Sequence, residues 1–349
     1  MAYTDIDDPT LYFSSTIWTG NGVDDRNIVI DGTGMQPDFV WIKSRNDTDN
    51  HRLVDSVRGA TKHLESDGTG AEQTSSNVKT FTSTGVTLST NGSVNANSEL
   101  YASWSWKAGT SFTNDASATG IGTIDSAGSV NNDSGFSIVS YTGTGSNGTV
   151  KHGLNSVPKM FIVKELSNAN SWEVYHVSQG AGKNAQLNTT AAFESAGSSR
   201  WNSTAPTSSV FSIGTDSGVN RSSSNFITYC FAEKQGYLKT GKWIGNGNND
   251  GPFSFCGFKP AFIMIKRTDV AKNWYINDNL RDGYNNDNPY LSPNLSAAET
   301  GGTEIDILSN GFKIRASGTG HNQSGGTYIY MAIAENPFVT STGVPATAR

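Results

Sequence analysis

Pro37-Asp38-Phe39-Val40-Trp41-Ile42-Lys43 returns twice along the chain, as Pro158-Lys159-Met160-Phe161-Ile162-Val163-Lys164 and as Pro260-Ala261-Phe262-Ile263-Met264-Ile265-Lys266. Each copy is a proline, a run of β-branched, aromatic or Met residues, and a closing lysine. That composition fits a central, well-buried strand, with the proline at its first position, where no ladder N–H is needed. The chain therefore reads as a triplicated module, and its 349 residues divide into units of roughly 100 residues each.

Working outward, the first module spans 12–109, after a polar arm over 1–11 that contains Pro9 and reads as an ordinary flexible terminus. Trp18-Thr19-Gly20-Asn21-Gly22 leads into it, and both Asn21-Gly22 and Asn91-Gly92 signal tight hairpin turns, which want positive φ. The module closes on Tyr101-Ala102-Ser103-Trp104-Ser105-Trp106, small and large residues alternating with a period of two. Residues 110–134 are rich in Ser, Thr, Ala, Gly, Asn and Asp and read as a linker. The second module (135–235) ends on Phe226-Ile227-Thr228-Tyr229-Cys230-Phe231-Ala232-Glu233. The third (236–338) follows directly, opening with Trp243-Ile244-Gly245-Asn246-Gly247, and a polar tail covers 339–349. Short strands, Gly and Asn turns and no ten-residue helical pattern predict an all-β chain of three tandem β-sandwich, jelly-roll or lectin-like modules. The repeat is too long for the coils of a β-helix, and three blades are too few for a propeller.

Composition removes several classes of function. Charged residues make up 16% and aromatics 10%, which argues against a disordered chain. The formal charge of −6 is scattered, so no basic stripe is offered to nucleic acid. There is no apolar stretch of membrane-spanning length, and the acidic N-terminus lacks the layout of a secretion signal, so the expected protein is made in a cytoplasm and inserts in no membrane. Cys230 and Cys256 sit in apolar runs and read as buried free thiols rather than as a disulfide.

No residue pattern dictates a reaction. The five histidines are dispersed without zinc spacing, Gly-x-Ser-x-Gly is absent, and no pair of carboxylates is singled out for glycoside hydrolysis. The expectation is therefore no catalytic residue, no metal and no cofactor. Asp55 and Arg58 recur as Asp278 and Arg281, three residues apart, and read as structural ion pairs, with sugar hydrogen bonding as the alternative. The second module offers His176 and Gln179 instead. Most of the tryptophans read as core. Trp172, Trp201 and Trp274 lie beside polar loops and are the candidates for stacking on carbohydrate.

Three sets of residues carry a resemblance: Trp18-Thr19-Gly20-Asn21-Gly22 with the Pro37 stretch, Asp55-Ser56-Val57-Arg58-Gly59-Ala60-Thr61-Lys62, and the endings Tyr229-Cys230-Phe231-Ala232-Glu233 and Met331-Ala332-Ile333-Ala334-Glu335. Over residues 12–338 the chain resembles a family of repeated β-rich modules found in virion and tail proteins of tailed bacteriophages, especially those of marine and cyanobacterial hosts. The resemblance implies a virion location and other virion proteins as partners, and it carries over no catalytic residue. The resulting expectation is a non-enzymatic tail-fibre or tail-tip protein, assembled as a homotrimer and binding a host surface glycan. The alternatives are a capsid decoration or head-fibre protein and, third, a glycan-depolymerising tailspike.

Overall fold

In the computed structural model, which describes residues 3–32, 34–281, 285 and 288–347, the chain is all-β. One strand order recurs three times. Sheet I is ordered Phe13–Thr19, Leu100–Trp106, Phe39–Ser44, Arg52–Asp55. Sheet III is ordered Leu238–Ile244, Thr327–Pro337, Phe258–Arg267, Trp274–Asp278. Sheet II has the same core, Phe136–Thr142, Asn225–Ala232, Pro158–Glu165, Trp172–His176, with further strands on both edges. We name these four strands, in spatial order, opening, closing, central and flanking. Their ladders are antiparallel.

The repeated stretch forms the central strand each time, and all six residues of Phe39–Ser44 are buried. Its first four residues, Phe39 to Ile42, are apolar in succession because both faces of the strand are covered. On the outer face of sheet I, Val40, Ile42 and Val54 pack with Ile28, Val86 and Leu88 of a small three-stranded sheet. Sheet II meets the pair Gly148–Lys151 and Val210–Ile213, and sheet III meets Phe253–Phe255, Gly311–Ile314 and Ile305–Leu308. The inner faces do something the sequence reading did not expect. They meet one another, so Phe39, Trp41, Trp104 and Trp106 of sheet I, Ile162, Tyr229 and Phe231 of sheet II, and Phe262, Met264 and Met331 of sheet III belong to one core. A void of about 10 Å³ lies at its centre, lined by apolar and aromatic side chains. With no polar partners that space does not suit a water molecule.

The lysine closing each central strand is buried and spends its ammonium on backbone carbonyls. Lys43 donates to Ser44 O and Asp47 O, Lys164 to Thr69 O and Glu165 O, and Lys266 to Thr190 O and Lys272 O, at 2.6–3.3 Å. Burial pushes all three pKa values down to about 8.

The Gly-x-Gly loops that follow Trp18, Tyr141 and Trp243 are pinned by an asparagine that lies just before each closing strand. Asn95, Asn220 and Asn322 are fully buried. Each accepts from the loop through its side-chain oxygen (Asn21 N, Thr144 N and Asn246 N at 3.1, 2.7 and 2.9 Å), donates through its amide, and takes the N–H of Gly22, Gly145 or Gly247 on its backbone carbonyl. The first glycine of each loop lies against the backbone just after that asparagine: a Cβ at Gly20, Gly143 or Gly245 would stand 1.9, 2.3 or 2.2 Å from a carbonyl oxygen. Asn220→Ala, which orphans several of these groups at once, should cost about 1–3 kcal/mol in urea unfolding. Gly143→Ala should cost more than about 1 kcal/mol. A loss within error for both would show that the loops are not held this way.

Four expectations are corrected. Residues 110–134 are not a linker: Thr110–Asn114 and Ser126–Asn131 extend sheet II beyond its opening strand, small side chains suiting them to an edge hairpin. Asn21-Gly22 does not close a hairpin, because Phe13–Thr19 pairs with Leu100–Trp106 while Arg26–Val29 pairs with Gly85–Leu88 of another sheet. Asn91-Gly92 begins a four-residue helix, Gly92–Asn95, with Asn91 as its N-cap. The N-terminal arm packs on its own chain, Thr4 Oγ1 donating to Gln235 O and Tyr3 OH to Gly257 O, both at 2.7–2.8 Å. Met1, Ala2 and the last two residues of the tail lie outside the described residues. Cys230 and Cys256 are buried free thiols.

Candidate functional site

The three sheets contact one another in a ring, and the same positions make each contact. Glu72 N donates to Leu166 O (sheet I region to II), Phe193 N to Thr268 O (II to III) and Glu299 N to Arg45 O (III to I), at 2.9, 3.0 and 2.7 Å. In the reverse direction, Trp172 Nε1 donates to Glu65 O (2.9 Å), Trp274 Nε1 to Gln186 O (3.0 Å), and His51 Nε2 lies 3.1 Å from Ser292 O. The same set of contacts thus repeats three times within one chain.

The expected ion pairs sit at these seams. Asp55–Arg58 closes at 2.5 Å and Asp278–Arg281 at 2.6 Å, all four side chains at most 3% exposed. Each guanidinium also donates to a carbonyl of its flanking strand, Leu53 O or Ile276 O, at 2.9 Å. Each carboxylate in turn reaches the next sheet. Tyr229 OH donates to Asp55 at 2.7 Å, and Trp104 Nε1 donates to Asp278 at 3.0 Å. Burial opposes the charge on Asp278, but Arg281 outweighs it and holds the pKa below the usual carboxylate range.

The same geometry accounts for the second module's departure. The residue equivalent to Tyr229 and Trp104 in sheet III is Met331, paired with Met264 as Tyr229 pairs with Ile162. A thioether offers no N–H or O–H to a carboxylate. His176 stands in the carboxylate's place, its Nδ1 accepting from Ser178 N and its Nε2 lying 3.2 Å from the backbone oxygen of Tyr330. Those partners fix the tautomer with the proton on Nε2.

Trp172, Trp201 and Trp274 cannot stack on a sugar. They are 0%, 0% and 1% exposed, and each indole N–H is used, Trp201 donating to Lys183 O at 3.1 Å. The polar residues that flank them in sequence mislead: Trp172 and Trp274 are covered by segments of the neighbouring sheet, and Trp201 packs on Phe161 and Tyr175 of its own.

An open cleft does lie at the seam between sheets I and II. Its space is about 470 Å³, with Val57, Leu166, Tyr141 and Phe226 as apolar lining and Arg58, Glu72, Asp125, Ser140, Thr142 and Asn225 as polar lining. Asp125, Thr142 and Asn225 are exposed, and Glu72 is half-buried. Asn225 Oδ1 accepts from Thr142 Oγ1 at 3.0 Å, leaving its amide N–H groups toward solvent. Two carboxylates and an amide beside an apolar floor can accept from and donate to vicinal hydroxyls. Among the described residues, no group of three or more His, Cys, Asp and Glu is placed to hold a metal ion, and no helix is long and apolar enough to cross a membrane.

A family model covers residues 8–337, nearly the whole of this architecture, and is described as a domain of unknown function, DUF7483. The chain belongs to that family. No curated protein matches it. The DUF7483 match spans all three sheets and the seams between them, so the ring lies within the family's domain.

Glu72, Asp125 and Asn225 were not reached from sequence, since nothing in their local pattern sets them apart from other loop polar residues. Asn95, Asn220 and Asn322 were within reach, because an asparagine precedes the closing strand in all three repeats.

Five buried histidines should make the fold of this DUF7483 domain sensitive to acid. Burial, the largest cause in each case, lowers His51 to about 3 and His63, His152, His176 and His321 to about 4. A base whose folded pKa is depressed takes up protons preferentially in the unfolded chain, so its contribution is intact above about pH 6.5 and is lost as pH falls toward 4. The urea midpoint should decline through that window. His176→Gln should remove about 3 kcal/mol of the decline. A midpoint flat from pH 7 to pH 4 would show these rings are not buried neutral.

Proposed function

We propose that the protein is a non-enzymatic component of a tailed-bacteriophage virion, a tail-fibre or tail-tip protein that binds a host surface glycan. The repeated stretches that resemble phage tail modules support the virion half of this reading. The seam cleft supports the binding half, with Glu72, Asp125, Thr142 and Asn225 around an apolar floor in place of the buried tryptophans. It is the single observation that carries the reading, because it combines hydrogen-bonding side chains of both senses with the apolar surface that a pyranose ring covers. His51, His176 and the two buried ion pairs are occupied by structural partners, and the reading assigns them no part in chemistry.

Gold-labelled antibody imaging of intact virions tests the location. Label at the distal tail is the expected result, whereas label across the head would replace this reading with capsid decoration, and no label would remove the virion assignment. A glycan screen of the purified chain tests binding. Asp125→Ala and Asn225→Ala should each weaken any retained glycan by about tenfold, the effect of one lost charged or neutral hydrogen bond.

A further inference from the structure

The cleft between sheets I and II has a counterpart between sheets II and III. In it Ser178 and Gln179 stand in the places of Val57 and Arg58, Thr268 in that of Leu166, and Lys242 and Ile244 in those of Ser140 and Thr142. Register fixes the correspondence, since Trp243 pairs with Tyr328 as Tyr141 pairs with Phe226, and the carbonyls of Leu166 and Thr268 accept the equivalent seam bonds. The second cleft is the larger, about 630 Å³ against 470 Å³. The segment from Asp125 to Ala127, which lines the first, has no counterpart beside Leu238–Ile244 among the described residues. At the seam between sheets III and I the place of Leu166 and Thr268 is taken by Arg45, whose guanidinium binds Glu299 at 2.8–3.0 Å.

The two clefts differ in charge. Glu72 and Asp125 line the first, and its Arg58 is bound to Asp55. At the second, Phe193 makes the seam bond that Glu72 makes at the first, and Lys242 is the one charged residue of the lining. Lys242 is exposed, and its ammonium has no partner among the described residues. The carboxylates of Glu233 and Asp269 are held elsewhere, the first by Lys239 and Thr240 and the second by Arg267. Gln179 occupies the position of Arg58 and Arg281, but His176 presents no carboxylate for it to bind. Its side-chain amide and the Ser178 hydroxyl are therefore both without a partner among the described residues. Strand alternation turns Lys242 and Ile244 to the same face, and Ile244 is 66% exposed.

We propose that the cleft between sheets II and III binds an acidic saccharide, a pyranose bearing a carboxylate. Lys242 takes the carboxylate, Gln179 and Ser178 take ring hydroxyls, and Ile244 lies against the apolar face of the ring. The proposal rests on the glycan reading for its ligand class, and it adds a second site with a charge preference of its own. An ammonium on a carboxylate makes a charge-assisted hydrogen bond, stronger than a neutral one. A side-chain amide both donates and accepts, so Gln179 can serve two neighbouring hydroxyls. The first cleft sets Glu72 and Asp125 against any sugar carboxylate, and like charges facing each other disfavour binding there. One chain therefore carries two clefts of the same origin that select sugars of different charge.

The test titrates the full chain with trigalacturonate, with the same trimer reduced at its carboxyls, and with acetate, reading backbone amide shifts by NMR. Trigalacturonate should move the amides of Ser178, Gln179, Lys242 and Ile244, and the reduced trimer should bind about tenfold more weakly or worse. Lys242→Gln should weaken trigalacturonate by about tenfold at an unchanged urea midpoint, because the exposed side chain has no partner to lose. Lys107→Gln removes the same charge away from the cleft and should leave the affinity within about twofold, the size of surface effects remote from a site. Equal binding of the two trimers, equal losses from both lysine substitutions, or the same shifts with acetate alone would each overturn the proposal. The two readings fail separately. Shifts confined to Asp125, Thr142 and Asn225 would keep the glycan reading and remove this one, whereas shifts confined to the Ser178 and Lys242 cleft would keep this one and remove the first cleft. Silence at both clefts would remove both.

Discussion

Arg281→Met is expected to destabilise the folded chain by about 3–5 kcal/mol, read as a fall in the urea midpoint at unchanged m. The Arg281 side chain is fully buried, and it holds Asp278 at 2.6 Å, Glu299 at 3.4 Å and Ile276 O at 2.9 Å. It also lies 5.6 Å from the centre of the Trp104 ring, across the seam between sheets III and I. Methionine fills much of the volume but leaves the Asp278 carboxylate in an apolar interior with the Trp104 N–H as its one cross-seam donor. Removing one partner of a buried pair costs more than removing both, because the cost is dominated by the stranded charge. The double variant Arg281→Met, Asp278→Leu should therefore be the more stable of the two, retaining a penalty of about 1–3 kcal/mol for the orphaned indole. If the single variant loses under about 1 kcal/mol, Asp278 is not charged in the fold and the seam is held by packing alone.

The ion pair shows what sequence can and cannot carry. Asp-x-x-Arg after a buried strand was legible as a pin, because a pair repeated across modules most simply serves what the modules share. What it pins was not legible. Asp55 reaches Tyr229 and Asp278 reaches Trp104, and their separation along the chain, across a module boundary, leaves no local signal. The same blindness explains the tryptophans. Trp172 and Trp274 sit next to Ser, Asn and Asp in sequence, so they look like surface rings, but the elements that cover them come from another sheet. Strand identity survived because it depends on composition over a few residues: Phe39–Ser44, Pro158–Glu165 and Phe258–Arg267 fall on the repeated stretches. The 110–134 stretch failed for the converse reason. Ser, Ala and Gly resemble a linker until an opening strand with a free edge is available to pair with.

Trp106→Ala tests the consequence of the shared core most directly. Three self-contained sandwiches would each have a centre of their own, and damage to the first would leave the other two unfolding as before. In the structure the Trp106 ring lies 5.0 and 5.1 Å from Phe13 and Phe39 of its own sheet, 6.2 and 6.3 Å from Phe136 and Phe231 of sheet II, and 5.7 Å from Phe262 of sheet III. It is 2% exposed, and its indole N–H has no acceptor among the described residues. Alanine would remove contacts with all three sheets and leave a void that none can fill alone, at a cost of about 3–5 kcal/mol. Because the loss is common to the sheets, calorimetry should show one transition moving down as a unit. Trp106→Phe should recover most of the loss, since the ring's packing matters and its unbonded N–H does not. A variant that splits the melt into a lowered and an unmoved transition would mean that the sheets fold independently and that the ring of seams forms only after each is complete.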